Sequence, residues 1–395
     1  MSASIKPARP AGSRASVYKP AVYKHFHRIA WLAIALALGV IVFGAFVRLS
    51  NAGLSCPDWP TCYGRATWPS AVHEVSDHAA SAIRPFEDSK AWREQVHRMI
   101  AGLLGVLTLT LALIAARRRA YGVLQVFVAA GLVAIAIPLY VKDQHVAASV
   151  LAVLGEAVLL FAAWRWSNSD LSRVAALTLA VIIFQALLGM WTVTWLLKPI
   201  VVMGHLLGGL TTFALLTWMA WGATDRPIRL ADAVATRRWV IAGLAVLALQ
   251  IALGGWTSAN YAALACGNDF PQCVGQWWPA HDFREGFVLW RGVGVDYEGG
   301  ILDGEARIAI HLAHRMMAAV VFVYLSWLAV KLLRMPGMRG WGGVLMALTL
   351  AQVALGIANV KLGLPLLVAV LHNAGAALLL FVLVSLLARL REPEH

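Results

Sequence analysis

Residues 94–116 read EQVHRMIAGLLGVLTLTLALIAA, and this stretch decides the fold because it joins a membrane-spanning run to a histidine. No charged residue occurs between Arg98 and Arg117, and a transmembrane helix needs about 20 predominantly apolar residues. Comparable runs recur along the chain, at about 28–49, 95–116, 121–141, 146–166, 174–196, 200–221, 239–259, 306–333, 341–360 and 366–388. The sequence therefore predicts an all-α polytopic membrane protein with about ten transmembrane helices.

The composition excludes the other broad classes of protein. Of the 395 residues, 60% are hydrophobic and 13% are charged, with a mean hydropathy of +0.71, whereas a soluble domain is about one quarter charged. A transmembrane β-barrel would show short alternating segments instead of long apolar runs. The net charge of +13 indicates basic loops at a membrane, and no nucleic-acid partner is expected, because no soluble domain is available to bind one.

Basic residues also predict how the chain is oriented. Residues 1–27 form a basic tail, and its three prolines argue against the alternative of an amphipathic targeting helix. With this tail in the cytoplasm, the segments on its side of the membrane carry 20 Lys and Arg, whereas each short loop on the other side carries one. Cytoplasmic loops are enriched in these residues. Both termini are therefore predicted to be cytoplasmic, and two long loops, at about 50–94 and 260–305, to be external.

Each long loop contains one pair of cysteines. Cys56 and Cys62 lie in CPDWPTC, and Cys266 and Cys273 lie in CGNDFPQC. The external face of a bacterial inner membrane is oxidising, so two local disulfides are predicted. Four free thiols are the alternative, and a zinc site is disfavoured because neither pair has the two-residue spacing common in such sites.

The two halves of the chain repeat one pattern of motifs. The matched motifs are His97-Arg98 with His314-Arg315, Gln185-x-x-x-Gly189 with Gln352-x-x-x-Gly356, and His205 with His372. The last two pairs are both 167 residues apart, but the His-Arg pairs are 217 apart. A two-helix hairpin at about 117–166 fills the difference. We predict two parallel four-helix-bundle repeats, an N-terminal bundle over 28–222 that includes this hairpin and a C-terminal bundle over 239–395, joined by a cytoplasmic linker over 223–238.

The repeated histidines are the candidate functional residues. Ionisable groups within membrane spans are costly and usually mark function. His97, His205, His314 and His372 are each expected within about two turns of the external end of their spans. Facing imidazoles in a helix bundle commonly hold a haem iron, so one pair in each half predicts two porphyrin sites. The alternatives are ordinary polar contacts, or a zinc or copper site, for which a third ligand is missing.

Neighbouring charged residues distinguish the two halves. Arg98 and Arg315 follow the histidines and suit porphyrin propionates, the alternative being interfacial anchors. Glu94 precedes His97 by three residues and shares its helix face, but His311 stands at the matching position of the second half. The first half is therefore predicted to be the reaction site, with Glu94 as acid, base or charge stabiliser. The alternatives are that Glu94 merely pairs with Arg98, and that His311 competes with His314 as an axial ligand.

These motifs, with HLLGGLTT at 205–212 and GLSCPDWPTCYG at 53–64, resemble the haem A synthase family. The resemblance covers about 28–116 and 174–388, and it implies oxidation of the C8 methyl group of haem O to a formyl group, giving haem A for terminal oxidases. It implies haem O on His97 and His205, haem B on His314 and His372, and an essential Glu94. External cysteine pairs are typical of bacterial members, which implies a bacterial inner membrane. The hairpin at about 117–166 departs from the family, whose members have eight helices.

The resemblance also implies partners, and two other functions remain as alternatives. The implied partners are membrane lipid, a farnesyltransferase that makes haem O, a terminal oxidase and an unidentified electron acceptor, with a homo-oligomer left open. A di-haem b-type electron carrier would share the histidines but would not explain the difference between Glu94 and His311. A haem or metal transporter would need an alternating path, whereas these histidines cluster on one side of the membrane.

Overall fold

The computed structural model describes residues 24–75, 85–167 and 170–393, so most of the predicted basic tail lies outside the described residues. These ranges are almost entirely helical. The helices are α1 (Lys24–Leu49), α2 (Asp88–Ala116), α3 (Gly122–Val141), α4 (His145–Arg165), α5 (Ser172–Thr194), α6 (Pro199–Thr224), α7 (Ala233–Ala259), α8 (Phe283–Gly286), α9 (Gly304–Arg334), α10 (Arg339–Lys361) and α11 (Leu366–Arg389). Within the described ranges, all of these except α8 are long and apolar enough to cross a membrane, which confirms the predicted ten spans.

α2 and α9 are the two longest helices. α2 has 29 residues and α9 has 31, which correspond to about 44 and 47 Å, whereas the hydrocarbon core measures about 30 Å. Their first turns therefore extend toward the loops that contain the cysteines. His97 and His314 lie nine and ten residues after the first residue of their helices, and their depth in the membrane stays a prediction.

The spanning helices pack in two closed rings of four. In the first bundle, α1 packs on α2, α2 on α5, α5 on α6 and α6 on α1. In the second bundle, α7 packs on α9, α9 on α10, α10 on α11 and α11 on α7. The bundles meet where α6 and α1 contact α11 and where α6 contacts α7. Aromatic side chains contribute to this contact, since the ring of Phe381 on α11 lies against the rings of Trp31 on α1 and Phe213 on α6.

The additional hairpin, α3 and α4, stands against the outside of the first bundle. α3 contacts α2, and α4 contacts α5. Arg119, in the turn before α3, donates to the Asp170 carboxylate at 2.9 Å and to the Ser172 hydroxyl at 2.8 Å. Burial would raise the pKa of Asp170, but hydrogen bonds from Ser172 and Arg119 outweigh burial and lower that pKa. This ion pair therefore fixes one end of the hairpin to the beginning of α5.

The ends of the two bundles are connected differently. At one end, a short strand after α6, β1 (Ile228–Arg229), pairs in parallel with β2 (Leu390–Arg391) after α11. At the other end lie the two long loops, and each is closed by a disulfide, Cys56–Cys62 in the first and Cys266–Cys273 in the second. Both predicted disulfides are thus confirmed, and the alternative of four free thiols is wrong.

Candidate functional site

The four repeated histidines line one cavity of about 1730 Å³ within the part of the chain that the structure describes. His97 and His205 reach it from α2 and α6, and His314 and His372 reach it from α9 and α11. A pocket for one drug-sized molecule occupies roughly 300–1,000 Å³. The cavity extends through both bundles and has room for two such ligands.

Each of the four imidazoles packs against a glycine on the preceding helix of its bundle. The pairs are Gly44 with His97, Gly189 with His205, Gly254 with His314 and Gly356 with His372, where a Cβ added to the glycine would lie 2.7, 3.2, 3.1 and 3.2 Å from the imidazole Cε1. A Cβ atom essentially never lies within 3.0 Å of a neighbouring heavy atom, and a contact shorter than 3.4 Å is tight. The absent side chain therefore makes the space in which each imidazole lies.

Three of these glycines follow a glutamine by four residues, and for Gln185 and Gln352 the structure shows what the glutamine does. Nε2 of Gln185 donates to the carbonyl oxygen of His205 at 2.6 Å, and Nε2 of Gln352 donates to the carbonyl oxygen of His372 at 2.9 Å. The glutamine holds the backbone of the histidine, and the glycine one turn later leaves space for its imidazole. The motif thus positions a histidine on the next helix.

The corresponding position on α1 and α7 differs between the bundles. Gln250 precedes Gly254 by four residues, and its Nε2 lies 3.2 Å from Nδ1 of His314. Val40 stands at the same place before Gly44 on α1, and Nδ1 of His97 is buried with no hydrogen-bond partner among the described residues. A side-chain contact therefore restrains the imidazole of the second bundle, and the first bundle lacks this contact.

Glu94 is buried and lines the cavity beside His97. Its Oε2 accepts hydrogen bonds from the backbone N–H groups of Ser55 at 2.7 Å and Cys56 at 2.9 Å. Its Oε1 accepts from Nη2 of Arg98 at 2.5 Å. Arg98 and the first disulfide loop therefore fix the orientation of this carboxylate.

Arg98 and Arg315 also line the cavity, but their donors are directed at the loops. Nη1 of Arg98 donates to the carbonyl oxygens of Asp58 and Thr61, both at 2.7 Å. Nη2 of Arg315 donates to the carbonyl oxygen of Asp269 at 2.8 Å. Each arginine thus holds a disulfide loop over its bundle, which the sequence analysis did not foresee, and pairing with propionates stays a prediction.

His311 occupies the position of Glu94 in the second bundle. It is 3% exposed, and its Nε2 accepts a hydrogen bond from Nε of Arg315 at 3.1 Å. One nitrogen of this imidazole is therefore occupied by the neighbouring arginine. His314, which packs on Gly254, remains the predicted ligand.

Arg48, near the end of α1, is a cavity residue that the sequence analysis missed. Its Nη1 donates to the hydroxyl of Tyr261 at 3.0 Å, and its Nη2 donates to the carbonyl oxygen of Ser258 at 2.9 Å. These bonds connect the first bundle to the end of α7. The sequence carried one signal, which is a second register of the repeat. Cys56 and Cys266 are 210 residues apart, and the same interval relates Arg48 to Ser258 and Gly44 to Gly254.

These residues fit a porphyrin better than a metal ion held by protein alone. Within the described ranges, no group of three or more His, Cys, Asp or Glu is arranged to hold a metal ion. Each bundle instead offers two imidazoles on glycine surfaces in a largely apolar cavity, and a haem iron takes only axial ligands from the protein. The donor set therefore fits one haem in each bundle.

The chain is similar in sequence to a known family and to several named proteins. A family model described as cytochrome oxidase assembly protein matches residues 27–138 and 144–384. A haem A synthase of Shewanella oneidensis is 38% identical over 91% of this chain and 96% of its own length. Similar proteins of the same name occur in Caulobacter sp. strain K31, at 25% identity over 92% of this chain and 96% of that protein, and in Rhizorhabdus wittichii, at 26% over 89% and 90%.

Proposed function

This chain belongs to the cytochrome oxidase assembly protein family, and from that premise we propose that it acts as a haem A synthase, oxidising the C8 methyl group of haem O to a formyl group. It is accordingly an oxidoreductase. Haem O differs from haem B by a farnesyl-derived chain, and its conversion to haem A changes the C8 substituent alone. The protein must therefore bind one porphyrin as substrate and direct its C8 methyl group toward a reactive side chain.

The two bundles divide these tasks in our proposal. The first bundle, over residues 28–222, takes haem O between His97 and His205, and the second, over 239–395, takes haem B between His314 and His372. A haem B in the second bundle supplies one-electron redox chemistry. The four imidazoles on their glycines support one porphyrin site in each bundle, because each bundle offers the same pair of ligands.

Glu94 is the proposed catalytic residue, and its surroundings carry the proposal. The carboxylate lies three residues before His97 and is held in place by hydrogen bonds from Ser55, Cys56 and Arg98. In our proposal, a carboxylate fixed beside the substrate stabilises positive charge that develops as the methyl group is oxidised, and it accepts a proton that the carbon loses. The second bundle has an imidazole, His311, at this position, and its porphyrin is expected to stay unmodified.

Glu94→Gln tests this role, with Gln95→Leu as a matched control. Each variant is purified after co-expression with a source of haem O, and its haems are extracted and identified by chromatography and mass spectrometry. We expect Glu94→Gln to retain haem O and haem B but to lower haem A formation by about 100-fold or more. Gln95 donates to the loop carbonyl of Ala66 at 2.8 Å, so Gln95→Leu weakens the loop but leaves the carboxylate. Haem A formed by Glu94→Gln at the wild-type rate would refute the role, and haem O bound but unchanged in the wild type would favour the electron carrier.

The orientation and the partners complete the proposal. The external cysteine pairs support a bacterial inner membrane location. The 20 Lys and Arg on one side support an orientation with both termini and the 223–238 linker in the cytoplasm and the disulfide loops in the periplasm. A haem O-producing farnesyltransferase and a terminal oxidase are the proposed partners, with an electron acceptor to reoxidise the enzyme. A reporter enzyme that is active only in the periplasm tests the orientation. Fused after residue 142 it is expected to be active, and fused after residue 226 it is expected to be inactive.

A further inference from the structure

The cavity continues from His97 into a crevice between α2 and the additional hairpin. Its walls, here called the α2–α3 crevice, are formed by Gly102, Gly105 and Leu109 of α2 and by Ala130, Val133 and Ala134 of α3. From His97 to Leu109 the cavity follows α2 for twelve residues, or about 18 Å. The crevice thus begins at the proposed substrate site and extends toward the middle of the membrane.

The crevice is open because its glycines are not covered. A Cβ added to Gly102 or Gly105 would meet no atom within 4 Å. This contrasts with Gly155 of α4, where a Cβ would lie 2.9 Å from the carbonyl oxygen of Ala129. The two helices of the hairpin therefore pack tightly on each other, whereas α3 stands away from α2 beside the cavity.

The second bundle carries larger side chains at the matched positions. The register that relates His97 to His314 places Ala319 at the position of Gly102 and Phe322 at that of Gly105, and both also line the cavity. No hairpin follows α9, since the next helix, α10, closes the bundle itself. A phenyl group therefore stands in the second bundle where the first has a bare glycine beside the hairpin.

We propose that the α2–α3 crevice binds the farnesyl-derived chain of haem O, and that the additional hairpin forms one wall of this subsite. The proposal rests on the proposed function, which puts haem O in the first bundle. Every wall residue is apolar, so a hydrocarbon chain fits, whereas a polar ligand would lose its hydration without partners. Haem B lacks this chain, which agrees with the phenyl group of Phe322 that lines the cavity in the other bundle.

Gly105→Phe tests the subsite because it gives the first bundle the residue that the second already carries. Leu103→Phe is the matched control, since Leu103 lies on the same helix, is 53% exposed and is not a cavity residue. The full-length protein in detergent is titrated with haem O, and separately with haem B as a competitor, and the retained haems are quantified by extraction. We expect Gly105→Phe to weaken haem O binding roughly tenfold or more, as if contact with about two methylene groups were lost, with no change in the affinity for haem B.

Ala134→Trp extends the test to the hairpin wall. Its control is Ile135→Trp, because Ile135 is 55% exposed and does not line the cavity. Equal haem O affinity in Gly105→Phe and Leu103→Phe would overturn the proposal, and so would an equal loss for haem O and haem B, which would indicate a disturbed porphyrin site. If the wild type does not bind haem O more tightly than haem B, the subsite is refuted, whereas the proposed function is refuted separately, if the wild type binds haem O but does not convert it to haem A.

Discussion

The contact between Gly44 and His97 allows a sharp test of the imidazole cradle. In Gly44→Ala, the new Cβ would lie 2.7 Å from Cε1 and 3.2 Å from Nε2 of His97. Ordinary contacts begin at 3.4 Å, so the imidazole must retreat by roughly 0.7 Å. Overpacking of this kind costs about 1–3 kcal/mol, and a misplacement of about 1 Å near the reacting atoms costs up to about 100-fold in rate.

The assay follows from the division between the bundles. Purified Gly44→Ala is supplied with haem O, and haem A, haem O and haem B are quantified after extraction. We expect haem A formation to fall by roughly 10- to 100-fold. The haem B content should not change, because His314 and His372 lie on other helices.

Gly39→Ala is the matched control on the same helix. A Cβ at Gly39 would meet no atom within 4 Å, and alanine favours a helix over glycine by about 1 kcal/mol. This variant should keep the wild-type rate and unfold no more readily than the wild type. The reasoning is refuted if Gly44→Ala converts haem O at the wild-type rate, or if both variants lose activity equally.

Three further predictions concern other contacts of the same machinery. Gln185→Leu removes the hydrogen bond to the carbonyl oxygen of His205, and we expect a loss of about 1 kcal/mol in stability, seen as a lower melting temperature in detergent; an unchanged value would refute it. Cys62→Ser opens the loop whose N–H groups hold Glu94, so haem A formation should fall more than haem O retention, and an equal fall would contradict this order. The pKa of Asp170 is lowered, so its contribution to stability is present at neutral pH and is lost as the pH falls through that lowered pKa. Asp170→Asn should therefore flatten the acid side of the plot of unfolding free energy against pH, and a plot parallel to that of the wild type would disprove the assignment.

Hydropathy predicted the number and the order of the spans, but it did not predict the residue at which α2 begins. The apolar window begins near residue 95, yet α2 begins at Asp88, because its first two turns are polar and pack on the disulfide loop. Its N-cap residue, Glu87, makes no side-chain cap, so no local signal marks this start. α9 is closer to its prediction, since Asp303 caps it by accepting a hydrogen bond from Ala306 N–H.

The candidate site was predictable only as far as the repeat could show it. Matching motifs single out His205 and Gln185, but the contact between them depends on how α5 and α6 are rotated, which sequence spacing does not give. Gly44 escaped notice because the glutamine that marks the other cradles is replaced by Val40 in α1. Arg98 was predicted from its charge, and that charge gave no indication that three loop carbonyls would occupy its donors.

Three differences between the bundles all favour a reaction in the first bundle. Both have the same imidazole pair on the same glycines, so the scaffold alone does not make one bundle reactive. At three matched positions the first bundle has Glu94, Val40 and Gly105, whereas the second has an imidazole, an amide and a phenyl group. In the proposed function, the first change supplies a carboxylate beside the substrate, the second leaves Nδ1 of His97 without a hydrogen bond from a glutamine, and the third opens space for the chain of haem O. On this proposal, a duplicated bundle gains a reaction site through a few substitutions around an unchanged pair of imidazoles, and the additional hairpin encloses the space that one of them creates.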